Sequence, residues 1–152
     1  MRRLFLLLAL VLPLAACGSD GPTSIQDTEF APQLGVDLSA MTRTSTGLYY
    51  RDLTVGTGAV AQSGSRITAY YRGWLPNGTS FGSLVAPASP LGPFTLGTGY
   101  VIPGWDQGIP GMREGGKRQL VIPPGLAYGS SGRGNIPPNA VLVFEVELVD
   151  VQ

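Results

Sequence analysis

One stretch limits what the rest of this chain can become. Tyr100-Val101-Ile102-Pro103-Gly104-Trp105-Asp106-Gln107-Gly108-Ile109-Pro110-Gly111-Met112 is the only part of the region after residue 45 that reads as a helix rather than as strand or turn. Trp105, Ile109 and Met112 recur at i, i+4 and i+7, which places three large apolar side chains on one helical face. That face has to be buried against a sheet. Pro103 suits a first helical turn, where its missing N–H costs nothing, and it holds Ile102 extended, leaving the Ile102 N–H free to meet a ligand. Gly108, Pro110 and Gly111 are poor helix formers, so the element is expected to last about two turns and to be held by packing. A single short helix laid on a sheet predicts a small α+β domain.

The flanking sequence supplies the sheet. Gly47 to Val55 reads as a first strand, closed by Gly56-Thr57-Gly58. Arg66 to Leu75 is a longer one, with Ile67, Ala69, Tyr71 and Gly73 on one face and Thr68, Tyr70, Arg72 and Trp74 on the other. Pro76-Asn77-Gly78-Thr79 is a turn leading into Ser80-Phe81. Residues 82–93 form an apolar, Pro-rich loop whose length marks it as bordering a site. Phe94-Thr95-Leu96 then returns the chain to the helix. Beyond the helix, Lys117 to Ile122 is a strand stopped by Pro123-Pro124-Gly125, and the turn-rich loop Leu126 to Pro138 carries Tyr128 and Ile136 near its ends. Val141 to Val151 is the final strand. Leu142, Phe144, Val146 and Leu148 make its core face, and Glu145 and Glu147 lie opposite. Their i, i+2 spacing reads as a solvated strand face rather than a paired-carboxylate acid/base site, which needs convergent carboxylates in a cleft.

The N-terminus has a different character. Residues 1–16 read as a lipoprotein signal peptide: Arg2-Arg3 is positive, Leu4 to Leu14 is an apolar run short for a membrane span, and small residues precede Cys17. Leu14-Ala15-Ala16-Cys17 resembles the lipobox of bacterial lipoproteins, in which the cysteine is lipidated and becomes the mature N-terminus. An ordinary secretory leader, with Cys17 merely near the cleavage site, is the alternative. Residues 17–45 would then be the lipidated N-terminus and a flexible tether, since Gly, Ser, Asp, Thr and Pro alternate there with scattered apolar residues and no sustained period. A flexible segment of that length spans roughly 30 Å. Within it only Asp37 to Met41 reads as a turn of helix.

Composition removes several function classes. Ten basic and ten acidic residues give no net charge, so there is no electrostatic footprint for nucleic acid. Histidine is absent, which excludes Ser-His-Asp and Cys-His catalysis and His-ligated zinc. The one cysteine permits no disulfide within the chain. No cofactor or metal is expected.

Residues 46–152 resemble the FKBP family of peptidyl-prolyl isomerases. The resemblance rests on Tyr70-Tyr71-Arg72-Gly73-Trp74-Leu75 with Asn77-Gly78-Thr79-Ser80-Phe81, on Val101-Ile102-Pro103-Gly104-Trp105, on Gly115-Gly116-Lys117-Arg118, on Ala127-Tyr128-Gly129, and on Ile136-Pro137-Pro138-Asn139-Ala140-Val141-Leu142-Val143-Phe144-Glu145-Val146-Glu147-Leu148, in the family's order and spacing. It implies an antiparallel, strongly curved sheet wrapped around one short helix. It also implies that Trp105 floors a binding pocket whose walls are Tyr71, Phe81, Val101, Ile102, Tyr128, Ile136 and Phe144. Catalysis would fall to Tyr71, Phe81, Ile102, Trp105, Tyr128 and Phe144, with Val101 and Ile136 binding substrate. The Ile102 N–H and the Tyr128 hydroxyl would orient a peptide carbonyl. Periodicity alone reads each of these aromatics as plain core.

Two departures stand out. The family usually has an aspartate directly after the phenylalanine corresponding to Phe81, and here that position is Gly82; Gly92 sits where an additional aromatic is often found. They bear on ligand affinity and rate, not on the fold. The activity implied is peptidyl-prolyl cis-trans isomerisation of exported, proline-containing polypeptides by a monomer held on the bacterial cell envelope, on the periplasmic or other extracytoplasmic face, through a lipid on Cys17. The alternative is a catalytically weak peptide-binding module or holdase chaperone with the same pocket.

Overall fold

A computed structural model describes residues 24–152. The leader and Cys17 lie outside the described residues. The elements in order are β1 (Thr42–Arg43), β2 (Tyr49–Thr54), β3 (Arg66–Trp74), β4 (Ser80–Leu84), β5 (Leu91–Thr95), α1 (Pro103–Gly108), β6 (Lys117–Ile122) and β7 (Leu142–Val151), with short 3₁₀ turns between some of them. The seven strands form one antiparallel sheet in the order β1-β2-β6-β7-β3-β4, and β5 pairs with the first half of β3 on the edge whose second half carries β4. This is the α+β architecture that the single helical stretch predicts.

The sheet bends because its ladders slip. Register shifts occur between Thr68 and Ala69 of β3 against β7, between Gly73 and Trp74 against β4, and between Asp52 and Thr54 of β2 against β6. Each such irregularity adds local twist, and together they curl the sheet around α1. The concave face holds the main core, where Leu48, Ile67, Leu96, Ile109, Met112, Leu120, Ile122, Leu142 and Leu148 are almost wholly buried.

The helix is as short as its glycines require. It starts at Pro103 and ends at Gly108, and Ile109 continues the helical conformation for one more residue. Trp105, Ile109 and Met112 are all buried on the sheet, although Met112 reaches it from the turn beyond the helix. Two glycines set how closely the helix lies. A Cβ on Gly104 would stand 2.5 Å from Ile122 Cγ2, and one on Gly108 would stand 2.8 Å from Leu120 Cδ2. Arg118, buried on β6, holds the helix's C-terminal end: its Nη1 donates to the carbonyls of Gly108 and Pro110 at 2.9 and 3.2 Å. Its Nε and Nη2 grip the Asp52 carboxylate at 2.7 and 3.0 Å, while the guanidinium lies 4.7 Å from the Tyr50 ring centre. A cation there also suits the negative end of the helical backbone.

Three expectations need correction. The tether expected over 17–45 is packed structure from Ser24 onward, because its scattered apolar residues cover the convex face of the sheet. Ile25 and Leu34 are buried with Tyr49, Val121, Val141 and Val143 in a second core, joined by Phe30, Ala31, Val36, Leu38 and Met41. Polar ties hold this strap: Gln119 Nε2 donates to Leu34 O at 2.7 Å, Arg51 Nη2 donates to Gly35 O, and the Ala31 amide donates to Pro76 O at 2.8 Å. Within it the expected turn at Asp37 to Met41 is a 3₁₀ turn at Leu38–Ala40, capped by Asp37, whose carboxylate accepts from Ser39 N at 3.0 Å and Ser39 Oγ at 2.6 Å. Those bonds from Ser39 hold the Asp37 carboxyl below the usual range.

Second, β7, expected to have a single core face, is buried on both faces where the strap lies, as is β6 beside it, so Gln119, Val121 and Val143 are core as well as their alternating neighbours. Only further along does the convex face carry charge, with Glu145 facing Arg72 at 3.9 Å and Glu147 facing Lys117 at 3.4 Å. Third, the loop expected over 82–93 is shorter, because β4 runs on to Leu84 and β5 begins at Leu91. Backbone pairing along β3 consumes both ends of it.

Candidate functional site

Between α1 and the concave face lies an open cavity of about 710 Å³. Its depth comes from the helix. The Asp106 carboxylate accepts twice: the Gly97 and Gly99 amides bond to its two oxygens at 2.8 and 3.0 Å. This clamps the turn before α1 and so sets where Tyr100, Val101 and Ile102 enter the wall.

Tyr71, Phe81, Val101, Ile102, Trp105, Tyr128, Ile136 and Phe144 all line this one cavity. Trp105 is only 3% exposed and sits among rings on several sides. Tyr71 and Phe144 meet it edge-on, each 5.5 Å away between centres and at 79° and 84°. Phe81 meets Phe144 at 5.3 Å and 75°. Edge-to-face pairs at these distances contribute about 0.5–1.5 kcal/mol each beyond their buried area, so the rings brace one another and leave a fixed apolar floor. The Trp105 indole N–H is buried without an acceptor among the described residues. The floor therefore offers a bound group a hydrocarbon surface and little else.

Gly73 makes the aromatic wall possible. A Cβ there would stand 2.5 Å from Phe81 Cε2 and 3.0 Å from Phe144 Cε1, so both rings lie over a strand position with no side chain.

Polar groups line the cavity as well, among them Tyr128, Arg133 and Asn135. The Ile102 amide donates to no backbone carbonyl among the described residues, while the Ile102 carbonyl accepts from Trp105 N at 2.9 Å and Asp106 N at 3.3 Å to open the helix. The extended conformation of Ile102, φ −60° and ψ 148°, is the one Pro103 imposes. Tyr70, on the other face of β3, spends its hydroxyl on Ala88 O at 3.1 Å. Among the described residues neither Tyr71 nor Tyr128 has such an acceptor for its hydroxyl.

Sequence reasoning missed part of the lining. Leu91, Tyr100, Arg133 and Asn135 also border the cavity. Tyr100 stacks on Phe94 at 5.4 Å and 17°, although it is 66% exposed. Arg133 and Asn135 lie in the loop between Tyr128 and Ile136, so two site residues flanking a turn-rich loop were the available signal. Cys17 is outside the described residues.

Comparison with known proteins shows the family and the fold. Residues 58–149 match the family described as FKBP-type peptidyl-prolyl cis-trans isomerase. The chain is 53% identical over 106 residues to the FK506-binding protein of Neisseria meningitidis serogroup B, an alignment covering 69% of this chain and 96% of the relative. It is 42% identical over 124 residues to the FKBP-type peptidyl-prolyl cis-trans isomerase FkpA of Escherichia coli, covering 82% of this chain but 43% of FkpA. Among solved structures, that of AtFKBP13 superposes with a TM-score of 0.67 at 43% identity, covering 74% of this chain and 98% of that one.

Proposed function

This chain belongs to the FKBP-type peptidyl-prolyl cis-trans isomerases, and on that premise we propose that it accelerates rotation about X–Pro bonds of exported polypeptides by drawing the prolyl amide into the aromatic cavity over Trp105. The observation that carries the reading is the ring-lined, acceptor-poor floor formed by Trp105, Tyr71 and Phe144. Rotation passes through a twisted amide that has lost its resonance, and the uncatalysed barrier is about 18–20 kcal/mol. The planar amide is the more charge-separated form. A dry apolar site therefore disfavours it relative to the twisted state, and a cavity shaped to the twist adds binding that only the transition state receives.

The Ile102 amide and the Tyr128 hydroxyl orient a peptide carbonyl at the mouth, while Phe81, Val101, Ile136 and Phe144 exclude water from the proline ring. Lowering the barrier by ~5.5 kcal/mol would give ~10⁴-fold acceleration. The neisserial relative is named for binding FK506, and we extend that ligand to this cavity. The site is complete within one chain, consistent with a monomer. The test is isomerisation of short X-Pro peptides with and without the purified domain. Catalysed exchange is expected; a protein that binds FK506 and peptide without accelerating exchange is instead a peptide-binding module or holdase.

The envelope location follows from Arg2-Arg3, the apolar run and Leu14-Ala15-Ala16-Cys17. We assign residues 1–16 as a lipoprotein signal peptide and Cys17 as the lipidated N-terminus on an extracytoplasmic membrane face. The strap lies on the face of the sheet opposite the cavity. An acyl mass on the N-terminal peptide, lost in Cys17→Ala, is the expected result; wild-type protein found soluble with an unmodified N-terminus refutes the assignment.

A further inference from the structure

The cavity carries one formal charge. Among its lining residues Arg133 alone is of a charged type, and no carboxylate of the described residues pairs with it. Its guanidinium rests 5.5 Å from the centre of the Tyr128 ring, the residue whose hydroxyl stands at the mouth. The backbone beneath it is fixed. Arg133 and Ile136 exchange both amide-to-carbonyl bonds, each 2.9 Å, in a tight turn flanked by Gly132 and Gly134 at φ +62° and +55°. Any side chain on Gly132 would collide with the Ile136 carbonyl as well as strain that φ. The loop thus presents one cation at a set place beside a cavity whose lining holds no anion.

From this we infer that Arg133 is a specificity-determining residue that favours prolyl peptides carrying a side-chain carboxylate next to the X–Pro bond. The inference rests on the isomerase reading and names the substrate class of the same site. Coulomb attraction to a cation lying on an aromatic face is least screened on the cavity side, where protein replaces water. Arg133 itself is exposed, so the effect belongs to the range of surface ion pairs and should appear as a roughly two- to five-fold preference.

The experiment compares blocked peptides that differ only by Glu or Gln, placed either immediately before or immediately after the proline, with kcat/KM read by exchange spectroscopy. At low ionic strength the Glu peptide is expected to exceed its Gln partner roughly two- to five-fold at one of the two positions. The ratio should fall toward unity at about 0.5 M salt, where the screening length is only a few ångströms. It should be unity at any salt in Arg133→Gln and stay above unity in Arg133→Lys. A ratio of one or less at both positions in the wild type, a preference that survives Arg133→Gln, or one lost equally in Arg133→Lys overturns the inference. Turnover of the Gln peptide tests the isomerase reading separately. Should no peptide turn over, the same Glu-to-Gln ratio taken from binding, followed by tryptophan emission, still decides whether Arg133 selects carboxylates.

Discussion

Replacing Gly82 by aspartate adds a single carboxylate at the rim, in a place the fold leaves open. Gly82 lies in β4 opposite Gly73 and is absent from the positive-φ glycines, so its backbone suits any L-residue. A Cβ there would meet Tyr71 Oη at 3.7 Å and Cε2 at 3.9 Å, which is ordinary van der Waals contact. A carboxylate on that Cβ can turn to accept from the Tyr71 hydroxyl. A hydrogen bond to a charged group contributes ~1.5–3 kcal/mol, and because Gly82 is only half-buried the lower end applies. If that energy goes into holding the Tyr71 wall in its ligand-bound form, binding tightens by about tenfold. FK506 affinity by calorimetry, and kcat/KM on an X-Pro peptide, should both rise in Gly82→Asp, the rate more modestly, with Gly82→Asn as the uncharged control. The added anion should also cancel the charge of Arg133 and flatten the preference for Glu peptides. A Gly82→Asp protein that melts as the wild type does, yet shows unchanged affinity and turnover, refutes the reasoning and shifts attention to the short loop between β4 and β5.

Trp105 and Trp74 lie on opposite faces of the sheet, one in the cavity floor and one against the strap. The emission change on adding FK506 should therefore vanish in Trp105→Leu and persist in Trp74→Leu, and equal loss in both would misplace the site. Leu34→Ala empties part of the strap's core and should lower unfolding free energy by about 2 kcal/mol, with peptide turnover retained, in a urea titration; no change would mean that the strap is not packed in solution. Gly104→Ala drives a methyl to within 2.5 Å of Ile122, so a loss of about 1–3 kcal/mol is expected, together with weaker FK506 binding because the helix must lift; wild-type stability would show that the contact relaxes freely.

The fold was legible wherever a period met a single buried face. β3 and β7 alternate, and Ile67, Ala69, Phe144, Val146 and Leu148 were placed correctly because the concave side is all that those residues meet. The strap was not legible, for a physical reason. Ile25, Phe30, Leu34 and Leu38 cover a surface by irregular turns and 3₁₀ segments rather than by helix or strand, so no period links them. Reading that segment as solvated then hid its consequence, the burial of Tyr49, Gln119, Val121 and Val143. The cavity posed the opposite difficulty. Tyr71, Phe81 and Trp105 have the composition of core, and nothing in alternation distinguishes a ring that touches other rings on all sides from one that is left a face for a ligand. Only resemblance to a family names those rings as walls of a binding pocket, and it says nothing of Arg133, which lies in a loop where neither period nor motif speaks.

What separates a cavity from a filled core here is three missing side chains. The glycines at 104 and 108 each weaken the helix by about 1 kcal/mol relative to alanine. Yet methyls at those two positions would stand 2.5 and 2.8 Å from Ile122 and Leu120, so the helix sits low on β6 only because they are absent. That seat fixes the height of Trp105, which shares the same turn as Gly104 and becomes floor rather than plug. Gly73 does the same for the wall, letting the Phe81 and Phe144 rings lie across β3 instead of standing away from it. The local cost in helix and strand propensity is thus tied to the depth of the cavity, and two poor helix formers lie on either side of the ring that makes its floor.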